Sequence, residues 1–287
     1  MKPELTVVIP TYNNPEGAKE LVRDFYHLHN PDMFRIISID QTEEGITFDA
    51  DTPVHLHIKA YRNLGFSKAM NTGWKLSTTP FTLIANDDVR LLHPSWYETA
   101  KACVLKDGVL AVNPFPATRT WDGGGNPTWY WDQQKDGKRD ERFDFIKDKK
   151  FEEYTDEDYQ KLKGLLTSGD GPGATMFFTL MRTEARDIVG YFDEGYWNGG
   201  EDYDFNRRCF LKGYKINTCT HSLVHHQCGV TKQNAVAAKE ANGYELVAKN
   251  KNIFNTKWST PDCPNPDIYG RTGNARPNTP WTSEIDL

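Results

Sequence analysis

A chain of 287 residues with 40 acidic and 34 basic side chains carries a formal charge of −6, which argues against the basic face that nucleic-acid binding uses to neutralise phosphates. Hydrophobic residues at 38% and charged residues at 26% are enough to bury one sizeable core without disulfides or metal staples. The five cysteines, Cys103, Cys209, Cys219, Cys228 and Cys263, are odd in number and include no C-x-x-C pair, so neither a disulfide framework nor a zinc site is indicated and a reducing, cytoplasmic compartment is expected.

Leu5 to Ile9 is an apolar run that stops at Pro10, far too short for a signal h-region or a membrane span and right for a buried strand. Pro15 opens a helix in which Ala18, Leu21, Val22, Phe25 and Leu28 keep helical spacing. Phe34 to Ile39 reads as a second strand ending at Asp40, Val54 to Ile58 as a third, Phe66 to Leu76 as a helix, and Phe81 to Ala85 as a fourth strand. This alternation predicts an α/β class with a mostly parallel, Rossmann-like sheet flanked by helices. Asp40 and Asn86-Asp87-Asp88 both lie just past strand C-termini, the edge where open α/β sheets bind ligands.

Further along, Pro94 to Leu105 reads as a helix and Val109 to Val112 as a short strand. Periodicity then fades into a stretch rich in Trp, Asp, Gly and Lys, with Trp121, Trp129, Tyr130 and Trp131, which reads as a lid, a binding loop or an insertion. Thr155-Asp-Glu-Asp158 has capping-box character with Asp in place of Glu and opens a helix through Leu166. Thr175 to Met181 is strand-like, Thr183 is a candidate cap for the next helix, and Glu201 to Leu211 is helical. The tail after Asn250 is rich in Pro, Asn and Thr and is expected to be irregular.

Two acidic clusters carry the chemistry. Asn86-Asp87-Asp88 offers hard oxygen ligands to a divalent cation that holds a diphosphate, and Glu201-Asp202 offers a base for deprotonating a hydroxyl. Alternatively, the first is an exposed polar turn and the second stabilises a helix start.

Thr6-Val-Val-Ile-Pro-Thr-Tyr-Asn13 resembles the opening of family 2 glycosyltransferases, inverting enzymes of the GT-A fold. The likeness continues in order through Asp40, Arg62 to Asn71, the Asn86 to Asp88 cluster, Gly171-Pro-Gly-Ala174, Val189 to Asp193, Gly200-Glu-Asp202 and Val224-His-His226, so it spans roughly residues 5 to 231. It implies a catalytic domain over 1–231 with an acceptor-side insertion at 113–168, and a C-terminal helix and irregular tail over 232–287 packed on the same domain. The implied donor is a UDP-, dTDP- or GDP-sugar bound with Mn²⁺ or Mg²⁺, and the implied acceptor is a glycan or other hydroxyl compound. Membrane contact would come through a lipid-linked acceptor or a partner.

By the same resemblance, Pro10, Thr11, Tyr12 and Asn13 contact the nucleotide, Asp40 accepts a base N–H, and Asn63, Gly65, Lys68 and Asn71 run beside the donor. Asn86 and Asp87 also face the donor, and Asp88 binds metal; Asn86 departs from the family's D-x-D signature, which weakens the metal assignment. Asp202 is the implied base with Glu201 in support. Either His225 or His226 completes the metal shell; spacing to Thr231 favours His226, and strand alternation lets only one ring reach the site. Gly173, Ala174, Trp121, Trp129 and Trp131 are candidates for the acceptor. Two other readings remain open: a sugar-1-phosphate nucleotidyltransferase, or a non-catalytic carbohydrate-binding protein.

Overall fold

Strands buried on both faces need continuous apolar runs, and Leu5–Thr11 (β1) is such a run, flanked in parallel register by Phe34–Asp40 (β2) and Phe81–Ala85 (β4). The computed structural model describes residues 2–117, 145–146, 149–165, 171–172, 176–227 and 243–258. Leu56–Lys59 (β3) pairs in parallel with β2, with Ile37 opposite Leu56 and Asp40 opposite Lys59. The sequence pattern predicts this strand at Val54 to Ile58; it lies on the open edge and is largely exposed, so its register follows pairing with β2 rather than its own hydrophobicity.

Val89–Leu91 (β5), Val109–Ala117 (β6), Gly171–Pro172 (β7), Phe178–Arg182 (β8) and Lys215–His226 (β9) complete the sheet, ordered β3-β2-β1-β4-β8-β6-β9-β5 with β7 beside β9. The pairings make β1, β2, β3, β4, β6 and β9 run one way and β5, β7 and β8 the other, so the sheet is mostly parallel as predicted. The strand predicted to end at Val112 continues through Pro114 and Pro116, where a register irregularity with β9 absorbs the lost donors.

Alternation along β1 divides the core. Leu5, Val7 and Ile9 face the layer made by Pro15–Leu28 (α1) and Trp96–Val104 (α3), packed around Phe25 and Trp96. Val8 faces Gly65–Lys75 (α2), Ala185–Val189 (α5) and Glu201–Leu211 (α6), around Trp74, Phe192 and Phe205. Asp156–Leu165 (α4) lays Tyr159 and Leu162 against Leu223 of β9. Its start is the capping box that the sequence predicts: the Asp158 amide donates to Thr155 Oγ1 at 3.2 Å and the Thr155 amide to Asp158 Oδ2 at 2.9 Å. Thr183 does not cap α5; its hydroxyl is buried against that of Thr82 at 2.8 Å, and Glu184 takes the cap position.

For residues 251–258 the expectation of an irregular chain is corrected by a helix, Gly243–Trp258 (α7), whose Phe254 and Trp258 pack with Tyr196; the rest of the tail lies outside the described residues. Lys257 near its end is buried and reaches Asp193 at 2.5 Å and Asp204 of α6 at 2.7 Å. Among the described residues no helix is long and apolar enough to cross a membrane.

Candidate active site

The strand C-termini of β1, β2 and β4 converge on a cavity of about 340 Å³ that the start of α6 and the end of β9 also line. Pro10 and Tyr12 follow the buried part of β1, Gln41 follows β2, and Asn86, Asp87 and Asp88 follow β4; all six line the cavity. Each is at the sheet edge because its strand ends there, which is how an open α/β sheet gathers polar groups from distant segments.

Asp87 is fixed from behind. The Tyr12 backbone N–H and the Asn14 side chain donate to its carboxylate, and Asn14 Nδ2 also donates to the Asp87 carbonyl at 3.1 Å. Burial, and then the neighbouring charge of Asp88, push its carboxyl well above the usual carboxylate range, and its Oδ2 is buried with no hydrogen-bond partner among the described residues. The contact with α1 is so close that a Cβ on Gly17 would lie 2.2 Å from the Asp87 carbonyl oxygen and 2.3 Å from Asn14 Nδ2. Gly17→Ala is therefore expected to destabilise by roughly 1–3 kcal/mol, the cost of overpacking, although alanine is the better helix former. Urea denaturation measures it; a neutral or stabilising result would mean the Asp87 turn yields without cost.

Asp88 meets His226, with Oδ1 3.1 Å from Nε2. The antiparallel pairing of β5 with β9 sets Val89 opposite His226, and the Gln227 amide donates to the Asp88 carbonyl at 2.9 Å. Phe177 stacks on the imidazole at 4.4 Å between centroids with an interplanar angle of 12°, fixing the ring. His225 points to the opposite face, as strand alternation requires. It is buried against Phe151 and Tyr154, neither ring nitrogen has a partner among the described residues, and burial pulls its pKa down to about 4. The metal-ligand expectation is thus corrected for His225, which does not line the cavity, while His226 does.

Gly200 with φ +96° leads into α6, and the first two side chains of that helix line the cavity. Glu201 is buried and accepts the Gly199 amide at 2.7 Å, so it braces the turn. Asp202 is only half-buried and accepts the Tyr203 amide at 2.9 Å.

Several expected donor contacts turn out to be structural. Asp40 is fully buried: Oδ1 accepts the Thr42 amide and hydroxyl at 2.9 and 2.6 Å, and Oδ2 accepts the Ile46 amide at 2.9 Å. Burial opposes its charge, but these bonds and the nearby Lys59 hold its carboxyl below the usual range. It does not line the cavity, because the turn after β2 uses both of its oxygens. Asn71 is likewise buried and brackets the Phe192 backbone, donating to its carbonyl at 2.8 Å and accepting its amide at 3.0 Å. Thr11 is buried with its carbonyl accepting the Gln41 amide at 2.9 Å, and neither Asn13, with φ 58°, nor half-buried Lys68 lines the cavity.

Asn63 and Gly65 do line it, as expected, and the residues around them form a lattice. The amides of Leu64, Gly65 and Phe66 donate to the side chains of Gln41, Asn63 and Asn198 at 2.7, 2.9 and 2.8 Å. Gln41, Phe66, Met176, Phe177, Asn198 and Gly199 are cavity residues that the motifs did not single out. The only signal for Gln41 was its place just past a strand end, and for Asn198 its Asn-Gly-Gly setting. Gly173, Ala174, Trp121, Trp129 and Trp131, with Tyr130, lie outside the described residues.

Among the described residues no three His, Cys, Asp or Glu side chains cluster as a metal-binding group. The donor set of Asp88 and His226, beside the buried Asp87 Oδ2 that has no partner among the described residues, nevertheless fits a hard divalent cation that takes one or two protein ligands and completes its shell from phosphate oxygens.

A mostly parallel sheet with helices on both faces and a carboxylate-lined cavity at its strand ends has the GT-A fold of glycosyltransferases. The mannosyltransferase PcManGT from Pyrobaculum calidifontis, solved with GDP-Man and Mn²⁺, matches with a TM-score of 0.54 and 14% identity over 88% of this chain and 65% of that one. GalNAc-T7, solved with UDP, GalNAc and Mn²⁺, matches with a TM-score of 0.52 and 17% identity over 79% of this chain and 44% of that one. The chain thus spans less than two thirds of the length of either structure. No protein-family model matches the sequence, and no curated protein sequence does.

Proposed function

We propose that the protein is a nucleotide-sugar-dependent glycosyltransferase that transfers a sugar to a hydroxyl acceptor with inversion. The observation that carries this reading is that the Asp88–His226 pair and Asp202, from segments far apart in the chain, line one cavity. A bound Mn²⁺ or Mg²⁺ would neutralise charge on the departing diphosphate. Asp88 and His226 would hold it, and Phe177 keeps the imidazole oriented for that task. Asp202 accepts the proton of the acceptor hydroxyl as that oxygen attacks the anomeric carbon, in a single displacement without a covalent enzyme intermediate. Glu201 keeps the helix start in place through the Gly199 amide. The acceptor hydroxyl meets Asp202 in this cavity, and a sequence with five cysteines and no C-x-x-C pair fits a cytoplasmic site of action.

The loop after β1, Pro10-Thr-Tyr-Asn-Asn-Pro15, lacks the glycine-rich basic character of a triphosphate site, which disfavours nucleotidyl transfer. Incubation with nucleotide sugars and Mn²⁺ tests both: slow release of nucleoside diphosphate is expected, whereas pyrophosphate release from a nucleoside triphosphate would overturn the proposal. Asp88→Ala should weaken Mn²⁺-dependent binding of nucleoside diphosphate by at least the roughly 10–100-fold that loss of even an outer-shell partner costs a metal site. Titration calorimetry with and without Mn²⁺ reads it, and an unchanged affinity would remove Asp88 from the metal role.

A further inference from the structure

The geometry points to Asp24 of α1 as a positioning residue for the Asp88–His226 pair: it holds the short strand β5 where the two side chains meet, without itself lining the cavity. The inference rests on the glycosyltransferase reading and deepens it. β5 has three residues and ends the strand order, with β9 as its paired neighbour. So short an edge strand is weakly tethered and leaves backbone groups without a strand partner. Asp24 supplies one. It is 8% exposed and is not among the cavity residues, yet both of its oxygens are spent on β5. Oδ2 accepts the Leu91 amide at 2.9 Å and Arg90 Nε at 2.8 Å, and Oδ1 accepts Arg90 Nη2 at 2.9 Å. Such a two-pronged contact fixes the plane of the guanidinium as well as its distance. Glu20, one helical turn earlier, accepts Arg90 Nη1 at 2.9 Å but with an exposed carboxylate, and it touches no backbone of β5.

The same helix grips the other end of the segment. Asn14, its N-cap, donates to the Asp87 carbonyl at 3.1 Å. Along a helix axis, Asn14 and Asp24 stand about 15 Å apart at roughly 1.5 Å per residue, and the chain from Asp87 to Leu91 reaches at most about 14 Å. α1 therefore serves as a rigid rule against which Asp88, between the two anchors, is set. The setting passes to His226 through β9, because Val89 stands opposite His226 and Arg90 opposite His225. The Arg90 guanidinium lies 4.0 Å over the Phe151 ring, and Phe151 meets His225 at 5.8 Å between centroids. With the His225 ring held on one face of β9, His226 is aimed at the other. The 3.1 Å approach of Asp88 to His226 leaves little room for slip, and a displacement of about 1 Å in a positioned group can cost on the order of 10²-fold. Loss of the Asp24 charge would loosen the Arg90 fork and the Leu91 amide together.

Asp24→Asn tests this, since asparagine keeps the size and one oxygen for the Leu91 amide but cannot hold the guanidinium in a fork. Calorimetric titration of the full chain with UDP and with GDP, over a series of Mn²⁺ concentrations and without Mn²⁺, gives the ion requirement of each protein. The variant should need about 10–100-fold more Mn²⁺, the range for lost support around a metal site. Its nucleotide affinity without Mn²⁺ should stay within about twofold, and excess Mn²⁺ should restore the wild-type affinity. Glu20→Gln, which loses one exposed partner of Arg90, should shift the requirement by less than about twofold. An unchanged Mn²⁺ requirement in folded Asp24→Asn would overturn the role of Asp24. So would an equal loss with and without Mn²⁺, the mark of a residue that only supports the fold, or a shift as large in Glu20→Gln. Where Asp24→Asn does not fold, Arg90→Lys decides: it keeps a cation without the fork, and the Mn²⁺ requirement should rise by about tenfold, the lower end of the same range, with no rise counting against the inference. A wild type that binds UDP or GDP with no response to Mn²⁺ would overturn the metal pair and this inference but not nucleotide binding. Failure to bind either nucleotide would overturn the glycosyltransferase reading as well.

Discussion

Asp202→Asn should lower sugar transfer by on the order of 10²–10⁴-fold, the usual contribution of a positioned general base, while binding of nucleoside diphosphate in Mn²⁺ changes less than about twofold. The split follows from where the side chain sits. Asp202 stands in the first turn of α6 and lines the same cavity as the Asp88–His226 pair, and its Oδ1 accepts the Tyr203 amide. Asparagine keeps the shape and that oxygen but cannot take a proton, so the turn held by Glu201 and Gly199 at 2.7 Å stays intact. Donor hydrolysis to water should fall along with transfer if Asp202 is the base for either nucleophile. Transfer at the wild-type rate would move the base role elsewhere, and Glu201→Gln is then the natural comparison. A large loss of donor affinity would instead place Asp202 against the diphosphate.

The parallel half of the fold was legible because each strand buried on both faces is a continuous apolar run and each helix packs one periodic stripe. That logic gave β1, β2, β4 and α1 almost to the residue. It failed for β5, a three-residue strand, and for most of β9, whose polar residues Asn217, Thr218 and His221 obscure any strand signal. Those two strands matter for function, since their pairing brings together Asp88 and His226, 138 positions apart. The two acidic clusters were legible because carboxylates past strand or helix ends are conspicuous. Asp40 shows the limit of that signal: the same residue type at the same kind of position spends its charge on a turn. Gln41 beside it was not conspicuous, because an uncharged amide announces itself only through its burial and partners.

Lys257→Met should destabilise the protein by roughly 3–5 kcal/mol, the cost of stripping one partner from a buried ion pair. Lys257 is 3% exposed and lies between Asp193 at 2.5 Å and Asp204 at 2.7 Å. Asp204 retains Arg208 at 2.8 Å and the Trp258 indole N–H at 2.9 Å, so Asp193 is the carboxylate left without a cation. By contrast, Lys19, in an exposed pair with Glu16, should give less than about 1 kcal/mol on the same substitution. The effect should also reach the cavity. Asp193 anchors the loop that runs to Gly199 and Glu201 by accepting the Gly195 amide at 2.9 Å. In the same loop, Asn250 of α7 holds both the amide and the carbonyl of Trp197, at 3.1 and 2.8 Å. Lys257→Met is therefore expected to reduce transfer more than donor binding at temperatures where the protein is still folded, and ending the chain at Asn255 should do the same more severely by also removing Trp258. Urea denaturation and titration with UDP and GDP in Mn²⁺ read the two effects separately. A stability change below about 1 kcal/mol, or a loss confined to nucleotide affinity, would mean that α7 is not the clamp on the loop from Asp193 to Glu201.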